Sequence, residues 1–113
     1  MAAGDRSEVR LYGPTEVSTA ASAGTIGTVP ADRVWVTKQL MFTNTNGVDA
    51  WVTVSIGDVS TSSNALFYQL PIAGNDTVVF DTAVVMTAAE TIQAISDRTG
   101  VNITGVGWVK ETA

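Results

Sequence analysis

An all-β fold is predicted: a single β-sandwich of jelly-roll or immunoglobulin-like type, with about eight strands and an extended N-terminal arm. Three observations predict it. Val and Thr, residues that fit a pleated surface, dominate the composition. Strand-sized apolar runs recur between clusters of Gly, Asn, Asp and Pro. No segment carries a helical period. The chain has 113 residues, 45% hydrophobic and 15% charged, which is enough for one core and too little for two. The expected division is an arm over residues 1–13 and a sandwich domain over residues 14–113.

The arm is polar, with Asp5, Arg6, Glu8 and Arg10 close together before Leu11 and Tyr12, and Gly13-Pro14 breaks it. Edge strands are expected around Thr15 to Thr19 and Thr25 to Val29, stopped by Pro30 and a turn at Asp32-Arg33. Val34 to Thr45 is the first strong strand. Val34, Val36, Leu40 and Phe42 alternate there with Trp35, Thr37, Gln39, Met41 and Thr43, and Lys38 falls on the apolar side. Asn46-Gly47 is the best two-residue hairpin signal, and Trp51 to Ile56 returns with Val52, Val54 and Ile56 on one face. After a polar loop from Gly57 to Asn64 come a strand over Ala65 to Ile72 and a turn at Gly74-Asn75-Asp76. Thr77 to Asp81 and Ala83 to Met86 follow, then a hairpin tip at Thr87 to Glu90 and a strand over Thr91 to Ser96. A turn over Asp97 to Gly100 leads to the last strand, Val101 to Val109. Gly105 and Gly107 inside that strand signal a bulge or the close approach of another backbone.

Composition excludes several functions. With 6 Lys+Arg against 11 Asp+Glu, the net charge of -5 leaves no basic footprint for nucleic acid. No His and no Cys are present, which removes disulfides, zinc sites and the nucleophiles that depend on either residue. Asp58, Asp76, Asp81 and Asp97 sit where Asp ordinarily bonds a turn, without a second catalytic signal. Asn44 to Asp49 offers oxygen ligands at alternate positions but lacks the later bidentate Glu of a calcium loop. No enzyme, metal or cofactor is expected. Met1 to Arg6 lacks the basic start and apolar core of a signal peptide, and no apolar run is long enough for a membrane-spanning helix.

The aromatics say more. If the Val stripes form the core, Trp35, Trp51 and Trp108 all point outward and mark a binding face. Alternatively a second layer covers them, since a strand's inner face is not fixed by pattern alone.

The run Thr28-Val29-Pro30-Ala31-Asp32-Arg33-Val34-Trp35-Val36-Thr37-Lys38-Gln39 resembles small virion proteins of tailed bacteriophages. Further counterparts lie at Asn44 to Gly47, Val52 to Gly57, Pro71 to Asp76, Val84 to Glu90 and Gly100 to Gly105, so that the likeness spans Leu11 to Val109. Asp32 and Ala89 depart from it, where the pattern prefers Gly. Such proteins serve as capsid decoration proteins, head fibres or tail components. The resemblance implies a non-enzymatic virion protein, made in the host bacterial cytoplasm.

A decoration protein on the outside of a head is the leading expectation, with the major capsid protein and a homotrimer of itself as partners, and neither nucleic acid nor membrane. The alternative is a tail-tip or fibre receptor-binding or minor tail protein. The residues expected at a partner surface are Arg6, Arg10, Leu11 and Tyr12 in the arm, with Trp35, Trp51 and Trp108 as anchors.

Overall fold

The computed structural model describes residues 6–19, 24–57 and 64–111. Its strands are β1 (Arg6–Glu16), β2 (Thr25–Thr28), β3 (Arg33–Asn44), β4 (Ala50–Ile56), β5 (Ala65–Ile72), β6 (Thr77–Met86), β7 (Thr91–Ser96) and β8 (Val101–Glu111). They form a front sheet in the order β1-β8-β3-β6 and a back sheet in the order β2-β7-β4-β5. All strand pairings are antiparallel and nested: β4 with β5, β3 with β6, β2 with β7 and β1 with β8. Two further pairings, β3 with β8 and β4 with β7, roll this ribbon into a sandwich. That is the jelly roll, one of the two alternatives the sequence left open.

The nesting corrects the reading of the turns. Asn46-Gly47 is not a hairpin: β3 lies in the front sheet and β4 in the back, so the segment between them arches from one sheet to the other. Thr87 to Glu90 is likewise an arch, as are the turns at Gly74 to Asp76 and Asp97 to Gly100. Only β4 and β5 are both neighbours in sequence and partners in a sheet. Turn chemistry reports that a chain reverses, and the same Asn serves an arch. Asn44 is buried, and its side-chain amide donates to the carbonyls of Val48 (2.9 Å) and Ile72 (3.1 Å). Asn46 donates to Thr99 O (2.7 Å), joining two arches at that end.

Two further differences concern the first half of the chain. Gly13-Pro14 does not end a segment: β1 runs through it, with register shifts between Arg10 and Tyr12 and between Tyr12 and Thr15. From Arg6 onward the expected arm is therefore an edge strand of the front sheet, while residues 1–5 lie outside the described ones.

β3 also changes face. Against both neighbours its register slips between Thr37 and Gln39. Beyond Lys38 the even residues Leu40, Phe42 and Asn44 are buried; before it the odd residues are, with Thr37 at 0% exposure and Trp35 packed on the core. An added residue moves the following side chains to the other side of a pleat. Lys38, the one charge on the expected apolar stripe, is the bulge, and it is exposed.

The core fills the space between the sheets. At one end Phe42, Phe67 and Phe80 stack at centroid distances of 4.8–6.1 Å. At the other, Tyr12 lies 6.1 Å from Trp35 and shares a hydrogen bond with Thr37 Oγ1 (3.1 Å). The glycines of β8 make room there, by close approach as the sequence suggested. A Cβ on Gly105 would run into the Tyr12 ring, and one on Gly107 into the carbonyl of Val36. Gly105→Ala is expected to destabilise the protein by about 2 kcal/mol through overpacking. A urea midpoint unchanged from wild type would contradict this account.

Candidate interaction face

The pairing registers arrange the outer side of the front sheet in rows. One row runs Arg10, Val106, Gln39, Asp81 from β1 to β6, and Gln39 Nε2 donates to Asp81 Oδ1 at 3.3 Å. The next crosses Trp108, Val36 and Val85. Another carries Thr104, Met41 and Val79. Val85 is 60% exposed and Val79 49%, a high apolar content for the solvent side of a sheet. Lys38 projects from the bulge with its ammonium 5.4 Å from the centroid of the Trp108 ring, a distance at which the ring quadrupole attracts a cation. Lys38, Val106, Gly107 and Trp108 line a shallow cavity of about 230 Å³.

Charge is distributed unevenly. Arg10, Lys38 and Lys110 accompany the outer front face, with Glu8 in register with Trp108 at its β1 edge and Asp81 at its β6 edge. The arches following β3, β5 and β7 carry Asp49, Asp76 and Asp97, which accept from the backbone amides of Gly74, Thr77 and Trp51 at 2.9–3.2 Å. Asp76 and Asp97 hold turns as their positions implied, and Asp49 does so too; Asp81, expected at a turn, instead lies inside β6, and Asp58 lies outside the described residues. Among the described residues no group of three or more acidic side chains could hold a metal ion. No helix among the described residues is long and apolar enough to cross a membrane.

The seven residues expected at a partner surface do not converge. Tyr12 is 6% exposed and Trp35 packs beside it, both turned into the sandwich by the bulges of β1 and β3. Burial holds the Tyr12 phenol up at about 12, partly offset by its hydrogen bond to Thr37. Leu11 occupies the β1 bulge and packs partly on the core. Trp51 alternates with the buried Ala50 and Val52, which puts it on the outer side of the back sheet. Arg10 and Trp108 share the outer front face. The Arg6 side chain lies outside the described residues. An exposed cluster of all three Trp residues is therefore corrected: they occupy the interior and two opposite faces. Met41, Val79, Asp81 and Val85 were not anticipated as members of this face; the parity break at Lys38 was the signal available in the sequence.

No family model matches the sequence, and no curated protein matches it. Solved structures do. The chain is similar to a chain of the infectious bursal disease virus T13 particle, at 12% identity and TM-score 0.54, over 96% of this chain and 31% of that one. It is similar to a chain of the Gx strain of that virus at 12% identity and TM-score 0.50, over 95% and 32%. The coat protein of Tobacco streak virus matches at 12% identity and TM-score 0.50, over 96% of this chain and 86% of that one. The chain thus spans about a third of the length of the bursal disease virus chains it matches. What these likenesses share with it is the fold.

Two outcomes follow from the burial differences. Trp35→Ala is expected to cost about 3 kcal/mol in urea unfolding, and Trp108→Ala under about 1 kcal/mol; equal losses would contradict the face change at Lys38. Because the folded state holds the Tyr12 proton more tightly than the unfolded chain, the stability this contributes is complete below pH 10. It declines as pH rises from 10 through about 12. Tyr12→Phe should flatten that decline in thermal melts across this range, and an unchanged slope would count against the assignment.

Proposed function

We propose that this chain is a structural protein of a virus particle, without catalytic activity, and specifically a decoration protein bound to the outside of a bacteriophage head. The observation that carries the reading is the jelly roll itself, in the strand order β1-β8-β3-β6 and β2-β7-β4-β5, a fold it has in common with the coat and particle chains above. Fold alone leaves function open. The phage-like motifs between Leu11 and Val109 supply the second support, and the lack of His and Cys the third.

In this reading the partners are the major capsid protein and further copies of the chain. A net charge of -5 keeps the protein off packaged DNA. A protein that binds the assembled shell better than its parts stabilises the shell by mass action, and many weak copies add through multivalency when each spans two capsid subunits. Arg10 and Trp108 are the expected contact residues that lie together on an outer face.

A tail-tip or fibre receptor-binding role is the second reading, favoured by one observation: Trp108 on an outer sheet face, beside Lys38 and a shallow cavity. The two readings differ in stoichiometry and in phenotype. Quantifying the chain against the major capsid protein in purified virions is expected to give hundreds of copies, and particles lacking it should release DNA at a lower temperature. A handful of copies, with unchanged heat release and lost adsorption to cells, would replace decoration by receptor binding.

A further inference from the structure

We propose that Asn46-Gly47 is a site of spontaneous deamidation held in check by the closed arches, and that the reaction irreversibly unfastens the arch after β3 from the arch after β7. The inference is independent of the proposed function. It rests on the hydrogen bonds of one side chain and on a glycine that the fold does not require.

Neither the backbone nor the available space demands glycine at position 47. The segment is an arch and not the primed hairpin turn that would call for one. Positive φ occurs at Gly13, Gly57 and Gly100, but not at Gly47. A Cβ on Gly47 would meet only Asn75 Nδ2, at 4.0 Å. What the missing side chain does change is reactivity. The side-chain carbonyl carbon of an asparagine is open to attack by the backbone nitrogen of the next residue, and glycine leaves that approach unhindered. Among the asparagines of the sequence, Asn46 alone precedes a glycine. In the step, the Gly47 nitrogen bonds to Asn46 Cγ and the Cγ–Nδ2 bond breaks. Nδ2 departs as ammonia with the proton that Gly47 N gives up. Water then opens the five-membered imide at either carbonyl, leaving aspartate or isoaspartate at position 46.

The fold opposes this step. Asn46 Nδ2 donates to Thr99 O at 2.7 Å and to Asn44 Oδ1 at 3.0 Å. The Thr99 carbonyl can only accept, which fixes the amide nitrogen on that side. Gly100 closes over the amide, so near that a Cβ there would lie 3.2 Å from Nδ2. The backbone is tied as well: Asn46 N donates to Asn44 Oδ1 at 3.0 Å, and Asn75 N to Asn46 O at 2.7 Å. Turning Cγ toward the Gly47 nitrogen means giving up both bonds of Nδ2, so the reaction waits on local opening. The product cannot restore what was lost. A carboxylate has no proton for Thr99 O or Asn44 Oδ1 and sets its charge against both acceptors. The arches of this end already carry Asp49, Asp76 and Asp97, and the Nε of their cation, Arg98, is engaged with Asp49 O at 3.0 Å.

The test is incubation of the full chain at neutral pH and physiological temperature, both folded and unfolded in urea. Ammonia release and mass spectrometry of the peptide containing Asn46 follow the reaction. The folded chain should deamidate at least about ten-fold more slowly than the unfolded one, by the factor that measures how rarely the arches part. Gly47→Ala should fold like wild type and, in urea, react several-fold more slowly. Deamidated wild type, separated by ion exchange, and Asn46→Asp should both unfold at a lower urea midpoint than wild type. Equal rates folded and unfolded, no reaction at Asn46 in urea, Gly47→Ala as reactive as wild type there, or a product with the wild-type midpoint would each overturn the proposal.

Discussion

The bulge at Lys38 is the constraint on which the rest of the sandwich depends. β3 is central in the front sheet, bonded to β8 on one side and β6 on the other. It packs Trp35 and Thr37 into one end of the core and Leu40, Phe42 and Asn44 into the other. Those two sets have opposite parity, and a regular strand could bury only one of them. The extra residue at Lys38 resolves the conflict, and its neighbours adapt. Gly107 admits the Val36 carbonyl, Gly105 admits the Tyr12 ring, and β6 takes up its own slip between Asp81 and Val84. The exposed Lys38 side chain and the inward Trp35 are two results of one insertion.

Much of the fold was legible in the sequence because strand signals are local. Seven of the eight strands and the turn residues follow from alternation and from Gly, Asn, Asp and Pro, while β1 reads as an arm. The partnerships do not, because a turn encodes a reversal over a few residues while the choice of sheet is made by packing across the whole molecule. Asn46-Gly47 illustrates the gap. Its chemistry is right for a reversal, and the side chains of Asn44 and Asn46 spend their hydrogen bonds on arch carbonyls. Ala83 to Met86 shows the reverse case: a run that reads as separate from Thr77 to Asp81 continues the same strand past a slip.

The candidate face was less legible for the same reason. Counting parity from Val34 puts Trp35 outside and Lys38 inside; both assignments reverse once the bulge is present. Trp108 needed no such correction, since β8 keeps one parity from Val101 to its end. The Tyr12 ring shows how an aromatic in a polar segment can belong to the core when a bulge at Leu11 turns it inward. Arg10, on the near side of that bulge, stays out.

The nested pairing has a consequence for how such a chain assembles. Val54 pairs with Phe67, Leu40 with Phe80, Thr28 with Thr91 and Arg10 with Val106, so the sequence separation grows from about a dozen residues to about a hundred. Closing the outermost pair directly would carry the full entropic cost of a long loop. Each inner pair, once formed, shortens the free chain left for the next to close, so the cheapest order runs from the β4–β5 hairpin outward. The edge strand β1 is then the last to dock. Until it does, β8 presents a bare edge containing Gly105 and Gly107, which β1 of another copy could fill in place of the chain's own at high protein concentration.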